Sequence, residues 1–214
     1  NEVTNPITPF LRAIDGINPM DAAFHDAIQA GITTVLVGPG SSNVVGGQFA
    51  VLKTYGRVLD KMIVKAPAAM KIAFGENPKK NFGDKDKMPA TRMAIAFLLR
   101  EELTKAKNYL AKKEEAKKNN EAFEIDIRYD CWEPVFAKKI PLKAHVHRTD
   151  DIITAIRIAK EFDLNMTLDH CSEGHLIADY IKESGYPAIV GPDLASRNKI
   201  EVQNAAFKTA GVLQ

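Results

Sequence analysis

Two short segments hold the residues best suited to chemistry. His145-Val-His147 closes the apolar run Leu142 to Val146, and Asp169-His170 follows the run Met166 to Leu168. Residues two apart on a strand point to the same side, so His145 and His147 face one direction as far as the extended geometry persists. Neutral imidazole is the commonest side-chain ligand for a transition metal, and a zinc-type site needs ligands that converge from separate elements. Two strand ends that each offer a histidine make half of such a site. The alternative is that these histidines only close the strand ends through hydrogen bonds, and the pattern weighs the two readings evenly. His25 and His175 fall within helical patterns and are expected on the surface or behind the ligands.

The elements that must position these residues alternate between helix and strand. Asp21 can cap a helix carrying Phe24, Ala27 and Ile28 that Gly31 ends, and Ile32 to Val37 reads as a strand buried on both faces. Ala68 to Phe74 is a second strand, followed by a long helix from about Thr91 to Lys118. A helix interrupted at Pro134 is expected within Glu124 to Lys138, ahead of the strand Leu142 to Val146. Thr149 or Asp150 caps a helix through Phe162, Met166 to Leu168 forms a strand, Ser172 caps a helix through Ser184, and Ala188 to Val190 forms a fifth strand. Strands separated by helices specify parallel βαβ units, as an open doubly wound sheet or a barrel. In both, the site lies at the carboxyl ends of the strands, where the histidines are.

Composition narrows the function classes. The 214 residues are 45% hydrophobic, enough for one buried core, and are expected to form a single domain over 1–214. With 29 basic against 27 acidic residues the charge is near balance, and the one basic cluster, Lys112 to Lys118, is broken by Glu114 and Glu115. Nucleic acid is therefore not an expected partner. No apolar run reaches the roughly 18 residues of a membrane helix, so no membrane partner is expected either. Two cysteines, Cys131 and Cys171, are too few for a disulfide framework and suggest the cytoplasm. A small-molecule substrate fits this profile, with a homo-oligomer left open.

The run Pro141-Leu-Lys-Ala-His-Val-His-Arg148, followed by Leu168-Asp-His-Cys-Ser-Glu-Gly-His175, resembles the fifth and sixth strand ends of the metal-dependent amidohydrolase superfamily, in the branch related to imidazolonepropionase and prolidase-like enzymes. Gly31-Ile-Thr-Thr-Val35 resembles the strand after the first helix of those barrels, and Lys71-Ile-Ala-Phe-Gly-Glu-Asn-Pro78 is similar to a segment of uncharacterised bacterial members. The resemblance implies an α/β fold, a (β/α)8 TIM-type barrel. It also implies a divalent metal, zinc first, with iron or manganese as alternatives. By position His145 and His170, 25 residues apart, become metal ligands, and His147 becomes a catalytic or substrate-binding residue beside His170. Glu76 is the first choice for a bridging metal ligand and Lys71 the fallback, while Arg148 is a candidate for holding a substrate carboxylate.

The chain also departs from that pattern. No His-x-His precedes Gly31, and no aspartate-bearing strand follows Val190 where the eighth is expected. A barrel of this type has ~250 residues, so the expectation is an incomplete barrel lacking its first and eighth strands, inactive as it stands. The intact enzyme is expected to hydrolyse an amide C–N bond, cyclic ones included, with metal-activated water. A non-catalytic α/β binding module remains as the other reading, its histidines structural and Gly38-Pro-Gly-Ser-Ser-Asn43 cradling an anion.

Overall fold

The structure is a computed structural model that describes residues 2–192 and 199–214. Its elements run in the order α1 (Ala22–Gln29), β1 (Thr34–Val37), β2 (Val45–Lys53), α2 (Leu59–Met62), β3 (Ile63–Ala73), α3 (Glu76–Gly83), α4 (Arg92–Asn119), α5 (Ile127–Asp130), α6 (Glu133–Phe136), β4 (Leu142–Val146), α7 (Thr149–Glu161), β5 (Met166–His170), α8 (Ala178–Ser184), β6 (Ala188–Val190) and α9 (Lys208–Leu213). The six strands form one sheet in sequence order. Strands β3 to β6 are parallel, and β1 to β3 are antiparallel. This curled sheet with helices fits part of a TIM-type barrel.

Two expectations are corrected. The first strand is not buried on both faces: β1 is an edge strand whose Leu36 is 43% exposed. The sequence pattern predicts five strands and none between Gly40 and Ala68, yet β2 lies there. Its Gly46-Gly47 pair hides it, because β2 is bulged at that point and Gly47 takes φ +124°. A Cβ on Gly47 would lie 2.3 Å from the Leu11 carbonyl oxygen, so the close passage of the amino-terminal segment requires glycine.

The parallel strands divide their two faces by period-two alternation. Met70, Ile72, Leu142, Ala144, Val146, Met166 and Leu168 belong to the hydrophobic core. Against them pack Ile95, Leu99, Leu103 and Ala106 of α4, spaced as one helical stripe, and Ile152, Ala155, Ile156 and Ala159 of α7. The alternate positions Lys71, Lys143, His145 and Asp169 fall on the other face. The strand register sets Lys71 beside Lys143 and His145 beside Asp169. The polar residues share one face because the apolar ones occupy the other.

Candidate metal centre

Strand β4 ends at Val146, and the chain stays extended through Arg148, whose φ and ψ are −83° and 153°. His145 and His147 therefore emerge together. Strand β5 ends differently: His170 and Cys171 take φ of +74° and +46°, a left-handed pair that non-glycine residues rarely adopt. Such strain persists only where surrounding contacts enforce it. Here His170 Nδ1 lies 2.6 Å from the Gly191 carbonyl oxygen, and the Cys171 amide donates to the Val146 carbonyl.

The three imidazoles meet. Ring centroids lie 4.6 Å apart for His145 and His147, 4.7 Å for His145 and His170, and 4.8 Å for His147 and His170. One ligand atom from each falls within 4.8 Å of the others, a group that could hold a metal ion. The Gly191 carbonyl only accepts, so His170 carries its proton on Nδ1 and leaves the Nε2 lone pair free. His147 Nδ1 pairs with the Ser172 hydroxyl at 2.7 Å, and with that hydroxyl accepting from Nδ1–H the Nε2 lone pair is left free. His145 Nε2 faces the Asn77 amide nitrogen at 3.2 Å, and its buried Nδ1 has no hydrogen-bond partner. Lys199 donates to Asn77 Oδ1 at 2.6 Å and so fixes the orientation of that amide.

Glu201 lies against this group, although nothing in the sequence pattern singled it out. Its side chain is 1% exposed, with Oε1 3.9 Å from His145 Nε2, 3.8 Å from His147 Nε2 and 3.9 Å from Lys199 Nζ. Oε2 accepts the Glu76 backbone N–H at 2.8 Å. That approach depends on Gly75: a Cβ there would stand 2.7 Å from Oε2, and φ is +83°. Glu76 itself is outside the histidine group, and its own buried Oε2 has no hydrogen-bond partner. Its contribution to the centre is a backbone amide. Lys71 is also set apart, in an ion pair with Asp169 at 3.6 Å, and Lys143 donates to the same carboxylate at 2.8 Å. Burial pulls the Lys71 amine down to about 8, against the pull of Asp169.

Further expectations meet different partners. Arg148 forms a two-pronged pair with Asp150, both bonds 3.0 Å. Ser172 does not cap a helix: a 3₁₀ turn at Gly174–Leu176 intervenes before α8, and the serine hydroxyl is taken by His147. The expected Thr149 or Asp150 cap is replaced by Glu173, whose Oε2 accepts the Thr149 N–H at 2.9 Å. His175 pairs with the Thr209 hydroxyl at 2.9 Å, and His25 is exposed. Asn43, the end of the loop considered for anion binding, is buried and donates to the chain's own Asn5 carbonyl at 2.8 Å.

Burial governs the charge of the centre. It pushes His145 down to about 4 and, together with the neighbouring His145, pushes His147 to about 3, so both rings are neutral at pH 7. Burial opposes the ionisation of Glu201, but His145, the Glu76 amide and His147 outweigh it and hold that carboxyl well below the usual range. Neutral imidazoles beside an ionised, partly unpaired carboxylate suit a cation. An unfolded imidazole titrates near 6.5, so between that value and the folded ones only the unfolded chain takes up these protons. The part of the metal-free chain's stability that these two histidines supply should therefore be constant above pH 6.5 and fall on acidification, partly offset below about pH 6 by Asp151, whose carboxyl burial raises to about 6. The loss is at most about 1.4 kcal/mol per histidine per pH unit. Urea denaturation at pH 7 and pH 5 checks this, and equal midpoints would contradict it.

No helix among the described residues is long and apolar enough to cross a membrane. No family model matches the chain. It is similar to the solved structure of an amidohydrolase from Thermotoga maritima MSB8, with a TM-score of 0.97 and 44% sequence identity over 100% of this chain and 56% of that one. It is also 23% identical to the amidohydrolase tasK of Hapsidospora irregularis, across 86% of this chain and 21% of that protein. The chain thus spans little more than half the length of the solved relative and about a fifth of the curated one. Both of these similar proteins are named amidohydrolases, and the histidine group of this chain could hold a metal ion.

Proposed function

We propose that the protein is a metal-dependent hydrolase of amide C–N bonds, cyclic ones included, in the branch related to imidazolonepropionase and prolidase-like enzymes. The observation that carries this reading is the convergence of His145, His147 and His170 from two adjacent parallel strands. The donor set fits a divalent ion: two imidazoles offer free Nε2 atoms, and the buried Oε1 of Glu201 lacks a hydrogen-bond partner. Zinc is the first choice, with iron and manganese as alternatives.

When bound, the ion supplies an activated water, by lowering its pKa to about 7, and a Lewis acid for the scissile carbonyl. The remaining work belongs to side chains. His170, held through Gly191, and His147, held through Ser172, keep their rings oriented without further reorganisation. The Asn77 amide, aimed at His145 by Lys199, is a donor for a substrate carbonyl oxygen. Lys71, whose amine burial brings toward neutrality, is the fallback for a bridging ligand: its neutral amine would add carbon dioxide and release a proton to form a carbamate. Arg148 serves a substrate carboxylate by exchanging its Asp150 pair. Two free cysteines, Cys131 and Cys171, favour the cytoplasm.

Elemental analysis of protein dialysed against zinc, iron or manganese, followed by assay on a panel of linear and cyclic amides, tests the proposal. Tight uptake of metal and metal-dependent release of amine are expected. Absence of stoichiometric metal would remove the basis of the reading.

A further inference from the structure

The geometry points to Glu201 as a fourth protein donor of this centre, a carboxylate added to the three imidazoles. The inference rests on the metal-dependent reading and goes beyond it, since it names a ligand from the chain beyond β6. Three observations carry it. Glu201 is 1% exposed, yet Oε1 has no hydrogen-bond partner, and a buried polar atom left in that state costs about 1–3 kcal/mol. That same atom faces the rings, 3.8 and 3.9 Å from Nε2 of His147 and His145. Donors bound to zinc at 2.0–2.2 Å in a tetrahedron lie roughly 3.3–3.6 Å apart, so a shift of about half an ångström brings Oε1 into register.

The second oxygen shows why the carboxylate sits there. Oε2 is anchored by the Glu76 N–H at 2.8 Å, in a space that exists only because Gly75 has no side chain. The anchor uses one oxygen and directs the other at the histidines. Lys199, 3.9 Å from Oε1, is half exposed and already donates to Asn77, so its ammonium can withdraw when a dication arrives. Imidazoles that bind through a nitrogen lone pair add no charge, so one carboxylate leaves a bound dication with a single positive charge. Zinc also accepts five ligands, so a fourth protein donor still leaves room for substrate.

The test uses the whole chain loaded with zinc. A crystal structure with anomalous scattering at the zinc edge should show Oε1 bonded to the ion within 2.0–2.2 Å. Glu201→Gln should weaken zinc binding beyond the roughly 10–100-fold that losing a supporting partner costs, and should change the visible absorption of the cobalt(II)-loaded protein. Zinc held by the histidines with Oε1 beyond about 3 Å, or a Glu201→Gln protein that binds zinc as tightly with an unchanged cobalt spectrum, would overturn this assignment and leave the hydrolase reading intact. Wild-type protein that takes up no zinc would overturn both. Should Glu201→Gln fail to fold, the distance in the wild-type crystal decides.

Discussion

His170→Asn is expected to abolish tight zinc binding while the protein still folds. Asparagine is the informative replacement, because His170 sits at φ +74°, where asparagine is tolerated and alanine would add backbone strain to the lost ligand. Its amide can also still donate to Gly191. What disappears is the free Nε2, one of the three atoms that fall within 4.8 Å of one another. Losing a ligand should exceed the ~100-fold upper cost of losing a supporting partner. At a zinc concentration of 100 times the wild-type Kd, binding stabilises the native state by about 2.7 kcal/mol, whereas a variant with a 100-fold weaker Kd gains only about 0.4 kcal/mol. A chelator-competition titration and thermal denaturation with and without zinc measure the two effects separately. Equal zinc-induced shifts in both proteins would show that His170 is not a ligand.

Trp132→Ala should produce the largest loss of stability. The indole is 0% exposed where α5 leads into α6, and it packs in the same core as α4 and α7. Truncating a buried tryptophan costs about 3–5 kcal/mol through lost burial and the cavity that remains. A second cost comes from Glu102, 8% exposed, whose Oε1 accepts the indole N–H at 2.9 Å. Burial already raises the Glu102 pKa, and the indole bond partly offsets it. Trp132→Phe isolates this contribution: the ring volume largely remains, while the carboxylate loses its donor at a cost of about 1–3 kcal/mol. Chemical denaturation should rank wild type above Trp132→Phe above Trp132→Ala. A Trp132→Phe protein as stable as wild type would show that Glu102 finds another partner or water.

Local pattern was a good guide wherever local physics dominated. Leu142–Val146 and Ala188–Val190 are strands with the bounds that their apolar runs suggest, and Asp21 caps α1 through its own side chain. The sequence failed where the chain's fate depends on distant contacts. β2 carries no alternation and two glycines, and it exists because β1 and β3 pair on either side of it. Ser172 has the chemistry of a helix cap, but the imidazole of His147, 25 residues earlier, claims it.

The same division runs through the centre. Its three histidines and their shared face are inherent in the sequence, since two residues apart on a strand means one side, and consecutive βα units place strand ends next to each other. Glu201 is not. It lies 11 residues beyond the end of β6, and only the fold brings its carboxylate to the Glu76 amide, through a gap left by Gly75. The reading of Glu76 located the right neighbourhood, and there its backbone N–H holds the carboxylate that faces the rings. Side-chain type and spacing determined which face could bind a cation. Tertiary packing decided which acid stands there, because a contact 125 residues apart leaves no periodic trace in the chain.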